Sequence, residues 1–237
     1  MVAPIFRQRG IPSTVKIGLA GLLTLILLPI LEAQTLENIG TVSSDIFLLS
    51  MEIFREILVG ILIGFISNAP FWVMSIVASL MSVHMGFQTA SLFNPFTEVS
   101  TSAIEQFYTI LSLALFLSLN GHHLLLRALV HTFTLVPLGT FTITDFTLEQ
   151  LIDLTGGLFA TAIQFSLPVA GTLLLADVGL GLIARAVPQI QVFFLGLPLK
   201  IGLGLLTLAL SLALILPHMR MMIDQMVTNI FQMITIN

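Results

Sequence analysis

Asp177 and Lys200 are the two side chains best placed to do chemistry, because each interrupts a long apolar run. A charge inside a membrane segment is costly, so one found there marks an ion path, a proton relay or a pair. Residues 186–189 contain Pro188 and read as the turn of a helical hairpin, closed by Gln189, with Arg185 beside it reaching polar surroundings. Asp177 and Lys200 then lie about equally far along opposite arms. This spacing predicts a cross-hairpin ion pair. A structural role is favoured over a relay, which needs a longer chain of titratable groups.

The remaining titratable residues form no catalytic pattern. His122 and His123 are adjacent, His84 and His131 stand alone, and no His-Glu-x-x-His or His/carboxylate spacing occurs. They read as helix-end or hydrogen-bonded histidines, so no metal site is expected. There is no Gly-x-Ser-x-Gly elbow, Walker loop or Gly-x-Gly-x-x-Gly between a strand and a helix. The absence of cysteine excludes disulfides, thiolate metal sites and a Cys nucleophile. The expectation is a protein that is not an enzyme, with no cofactor, drawing energy for any work from elsewhere.

The elements that must position these residues are apolar. Of 237 residues, 57% are hydrophobic and 8% charged, against roughly a quarter charged in a soluble domain. Too few charges remain to coat a water-soluble surface, so the chain belongs in a membrane as one integral domain. The net charge of −4 and scattered basic residues argue against nucleic acid as a partner.

The apolar stretches are short and broken. Residues 17–31 form one, read as a retained helix rather than a cleaved signal peptide, since Leu31-Glu32-Ala33-Gln34 is a poor cleavage site; it stops at the polar segment 32–45. Residues 57–97 are long enough for two crossings, with a kink or tight hairpin expected at Asn68-Ala69-Pro70. Asn120-Gly121-His122-His123 breaks the next run, and Pro137-Leu138-Gly139 reads as a turn. Residues 154–176 look like an ordinary span. After Pro217, Met219, Ile223, Met226, Ile230 and Met233 follow the spacing of one helical face, with Arg220, Asp224 and Gln225 on others, which makes an amphipathic helix. Irregular backbone at membrane depth is tolerated only against protein or a cavity. The pattern therefore argues for a subunit packed inside an assembly or lining a path.

One segment departs from this oiliness: residues 86–102 read GFQTASLFNPFTEVSTS. Met74, Met81 and Met85 approach it at spacings of seven and four, on one helical stripe. Ordinary helix packing is one reading of that stripe, and a deformable seal is the other.

Several ordered blocks resemble the FliR family of the bacterial flagellar type III export gate and its injectisome counterparts. They are Ala3-Pro4-Ile5-Phe6, Glu56-Ile57-Leu58-Val59-Gly60, Met85-Gly86 through Asn94-Pro95, Asn120-Gly121-His122-His123, and Gly181-Leu182-Ile183-Ala184-Arg185-Ala186-Val187-Pro188-Gln189 continuing to Leu197-Pro198-Leu199-Lys200. The likeness runs through nearly the whole chain. The family pattern usually has about one more helix ahead of Ala3-Pro4-Ile5, which points to a misplaced start or an absent first helix.

The resemblance implies an all-α membrane protein of kinked helices and hairpins packed in a helical, cone-shaped export gate in the bacterial inner membrane. It implies FliP-like and FliQ-like gate subunits, FlhB-like and FlhA-like export proteins, unfolded exported substrates and membrane lipid as partners. Residues 1–150 look like a FliP-type part, and residues 151–237 like a FliQ-type hairpin with the amphipathic tail. The family also carries a pore plug at 86–102, where Met85 and Phe87, Leu92, Phe93 and Phe96 supply bulk and Gly86, Asn94 and Pro95 the bends. An inter-helix surface loop is the plainer reading of that segment, though it has little use for phenylalanines. A flagellar gate is favoured over an injectisome one. The rival of another class is a small secondary transporter, which broken helices and Asp177 would suit.

Overall fold

The computed structural model describes residues 12–42, 46–87, 102–136, 138–189 and 191–235. Among these described residues six helices follow in order: α1 (Ser13–Val42), α2 (Ile46–Met85), α3 (Ala103–Ser118), α4 (Gly121–Leu135), α5 (Asp145–Ala186) and α6 (Val192–Thr235). Among the described residues there is no strand. The described residues are all-α, as the family resemblance implies.

Three boundaries differ from the sequence-based expectation. The first helix does not stop at Leu31 but runs to Val42, because the good helix formers Glu32, Ala33, Gln34 and Leu36 offset the weaker Asn38 and Gly40 and no proline follows Pro29 within it. The second is neither a hairpin nor a pair of crossings; α2 passes through Pro70 unbroken. Asn68 Nδ2 donates to the Gly64 carbonyl at 2.6 Å, Ser67 Oγ donates to that of Ile63 at 2.5 Å, and residues 62–70 are almost wholly buried. Pro70 lacks the N–H that would serve the Ile66 carbonyl, so it is the packing of this stretch that holds the helix through the proline. At the third boundary, the amphipathic stretch after Pro217 continues α6, which contains both Pro198 and Pro217.

The expected break at Asn120 is present. Asn120 adopts φ +56, a left-handed conformation Asn tolerates, and α3 and α4 meet there at a 64° bend. Gly121 allows the bend to close: a Cβ on it would sit 2.5 Å from the Phe116 ring.

The chain divides into two units. The first comprises Met1–Pro70, Phe116–Thr155 and Met222–Asn237. Its buried side chains include Ile66, Phe116, Phe141, Met226 and Ile230, and His131 meets Phe231 edge to face at 5.2 Å. The buried face of the last helix is the one the three-four spacing predicts, with Arg220, Asp224 and Gln225 exposed. The second unit comprises Phe71–Leu115 and Gly156–Met221. Met74, Met81, Met85, Tyr108, Leu173 and Ile215 are among its buried side chains.

Two helices, α5 and α6, are long and apolar enough to cross a membrane, and the bent α3/α4 pair forms a third candidate span. Within the apolar windows of α5 and α6 only 11% and 17% of residues are buried. Leu175, Leu182, Leu206 and Leu210 are each at least 60% exposed. Such faces need lipid or other subunits to cover them.

Candidate functional site

The segment 86–102 is anchored by local chemistry at each end. At the first end, Gly86 takes φ +80, its N–H donates to the Val83 carbonyl at 3.1 Å, and the Phe87 N–H donates to that of Ser82 at 3.1 Å. These two bonds make a Schellman motif, which uses glycine because a Cβ disfavours positive φ. At the far end Ser102 and Glu105 form a capping box: Ser102 Oγ accepts from the Glu105 N–H at 3.2 Å, and Glu105 Oε2 accepts from the Ser102 N–H at 3.4 Å. Leu92, Phe93, Asn94, Pro95 and Phe96 lie outside the described residues.

Ahead of Gly86, the methionine stripe is buried. Met74, Met81 and Met85 are each no more than 2% exposed. Tyr108 of α3 donates its hydroxyl to Met81 Sδ at 3.2 Å. Met85 lies flat against α6 at Gly204, where a Cβ would come 2.6 Å from Met85 Cγ and 2.7 Å from Cε. A bare backbone at Gly204 is therefore what lets Met85 seat there.

The C-terminal hairpin turns where the proline predicts. The helix α5 ends at Ala186, Pro188 and Gln189 form the turn, and α6 begins at Val192. Lys200 Nζ meets Asp177 Oδ1 across the arms, with the lysine side chain 23% exposed and the aspartate 50%. The arms also close at Gly196, where Leu180 Cδ1 lies 3.1 Å from the place of a Cβ. Arg185, Pro188 and Gln189 are exposed at the tip.

Sequence reasoning missed a second polar grip, in the first unit. Gly139 has φ +77; its N–H donates to Glu56 Oε1 at 2.8 Å, and its carbonyl accepts from Arg55 Nη1 at 2.8 Å. One turn of α2 thus holds both backbone groups of a single residue in the α4–α5 connection. Glu52 packs on the same glycine, 3.0 Å from where its Cβ would stand. Three charges at i, i+3 and i+4 of an apolar helix were the available signal. Their partner lay 83 and 84 residues away. Among the described residues no group of three His, Cys, Asp or Glu side chains could hold a metal ion.

Long apolar helices, two of them able to span a bilayer, define an integral membrane protein of the all-α class. The family described as bacterial export proteins, family 1, matches residues 1–226, so the chain belongs to it. Among its relatives, the flagellar biosynthetic protein FliR of Bacillus subtilis is 31% identical over 90% of this chain and 81% of its own length. That of Pectobacterium carotovorum is 30% identical over 91% and 80%. The secretion system apparatus protein SsaT of Salmonella typhimurium is 29% identical over 92% and 84%.

Proposed function

We propose that the chain is the FliR-type gate subunit of a flagellar type III export apparatus, through which unfolded flagellar proteins cross the bacterial inner membrane. The observation that carries this reading is the family match across residues 1–226 together with FliR relatives aligned over nine-tenths of the chain. The largely uncovered apolar faces of α5 and α6 support it, because a subunit inside an assembly leaves such faces for its neighbours.

In this reading residues 1–150 act as a FliP-like part and residues 151–237 as a FliQ-like hairpin with an amphipathic tail. FliP-like and FliQ-like subunits pack beside them, and FlhB-like and FlhA-like proteins adjoin the gate. Residues 86–102 plug the closed pore, with the buried Met85 stripe as the seal behind it. The Schellman motif ends α2 at Gly86 and the capping box starts α3 at Ser102, which fixes where each helix stops on either side of the plug. Asp177 and Lys200 hold the hairpin closed, and the energy for export comes from the cytoplasmic ATPase and the proton motive force.

The SsaT relative supports a second reading, an injectisome gate, less strongly than the FliR relatives support the flagellar one. A tagged chain purified in mild detergent from its own cells tests both. FliP-like and FliQ-like proteins of a flagellar set are expected by mass spectrometry; recovery of injectisome counterparts selects the second reading. A chain that elutes with no export component sinks both.

A further inference from the structure

We propose that a slot in the second unit seats a phenolic ring, the side chain of a tyrosine on a partner subunit's membrane helix. Its lining includes the buried Met74, Val77, Tyr108 and Ile215 as a floor, the half-buried Ser211 and the exposed Leu214, with a volume of about 190 Å³. An apolar cavity of ~150 Å³ already holds a benzene ring. The slot therefore has room for one aromatic ring.

The rim decides which ring. His218 Nδ1 lies 2.7 Å from the Leu214 carbonyl. A carbonyl can only accept, so Nδ1 carries a proton, and in that tautomer Nε2 is an acceptor. The Gln164 side-chain amide, which lines the slot from α5, has no hydrogen-bond partner among the described residues. Pro168, one helical turn on, has no N–H to give the Gln164 backbone carbonyl. Phe165 meets His218 edge to face at 4.5 Å and steadies the imidazole. Polar groups left facing hydrocarbon are costly, and their neighbours Ile163, Leu167 and Leu214 are apolar and more than half exposed.

A hydroxyl answers both polar groups, donating to His218 Nε2 and accepting from the Gln164 amide. An indole donates but does not accept; a phenyl ring or an acyl chain does neither. This chain has a single tyrosine, Tyr108, which forms part of the floor. Residues 1–237, in this copy or a second one, offer no other tyrosine, so the ring is assigned to a different protein. That the protein is an export component rests on the function proposed above, whereas the seat itself does not.

The test uses Leu214→Cys, which places the chain's one cysteine on the rim at a position 54% exposed. Native membranes are labelled with a maleimide-benzophenone, irradiated, and the crosslinked peptides sequenced. A tyrosine-containing peptide of another membrane protein is expected, and exchange of that tyrosine for Phe is expected to lower recovery of the complex roughly three- to tenfold. The pair Gln164→Leu and His218→Phe, which keeps the slot's shape, is expected to produce a similar loss. Crosslinks to lipid alone, to this chain, to a peptide without tyrosine or to nothing overturn the seat, as does unchanged recovery with the rim pair. A tyrosine on a protein outside the export machinery keeps the seat and removes the export reading.

Discussion

At the residue scale the informative positions are glycines, which give a sequence little to read. Asp177 and Lys200 were legible because both stand on one hairpin with a proline at its turn, and simple counting brings them face to face. Gly204 was not, since the need for a bare backbone arises only when Met85 lies on it from another helix. The same holds for Gly139, whose partners Arg55 and Glu56 are more than 80 residues away. Close packing at Gly204 makes a definite prediction. Gly204→Ala forces Met85 aside, and overpacking of this kind costs about 1–3 kcal/mol, toward the lower end because methionine is flexible. Met85→Ala alone leaves a cavity and costs about 2–5 kcal/mol. Combined, the new methyl partly fills the space the methionine vacates, so the double variant is expected to lose less than the sum of the singles. Thermal unfolding in detergent measures all three, and strict additivity would show that the two residues do not meet.

At the scale of elements, the helical class of the apolar runs was legible and the boundaries were less so. Apolar composition and three-four spacing identify helices, and the face buried after Pro217 follows directly from that periodicity. Proline was an ambiguous signal. It allows a kink or a hairpin at Asn68-Ala69-Pro70; the hairpin does not form, and α2 continues through a stretch, residues 62–70, that is almost wholly buried. Such burial is tertiary, and a single sequence does not display it. The Ser102-Ala103-Ile104-Glu105 capping box, by contrast, was legible in principle: S-x-x-E before an apolar run is a helix start. Its consequence is local. Ser102→Ala removes the acceptor for the Glu105 N–H and is expected to cost about 1 kcal/mol, fraying the first turn of α3. Amide hydrogen exchange at Glu105 should then speed up roughly fivefold or more while exchange in α5 stays unchanged. No change at Glu105 would mean that α3 is held by its packing rather than by its cap.

At the scale of the whole molecule, composition excludes a water-soluble globule, but only ordered blocks such as Ala184-Arg185-Ala186-Val187-Pro188-Gln189 separate an export protein from any other multispan chain. Physics alone left the transporter open; the family match over residues 1–226 is what closes the question of kind. What the ion pair does for the whole protein can be decided by exchanging its charges. Removing one partner of a buried pair costs about 3–5 kcal/mol, and an exposed pair contributes under about 1 kcal/mol. With side chains 23% and 50% exposed, this one falls between. Asp177→Lys alone puts two cations together between the hairpin arms, and Lys200→Asp alone puts two carboxylates there, so both should lower recovery of the assembled complex severalfold. Asp177→Lys combined with Lys200→Asp restores an attraction of the same reach and should return most of that recovery, and motility with it, if the pair only holds the arms together. A proton relay behaves otherwise, because it needs a carboxylate in one place. Under that mechanism Asp177→Asn abolishes motility while the complex still assembles, and the exchanged pair assembles without moving. Recovery of the complex and swarming on soft agar, measured on the same four variants, therefore separate a strut from a relay.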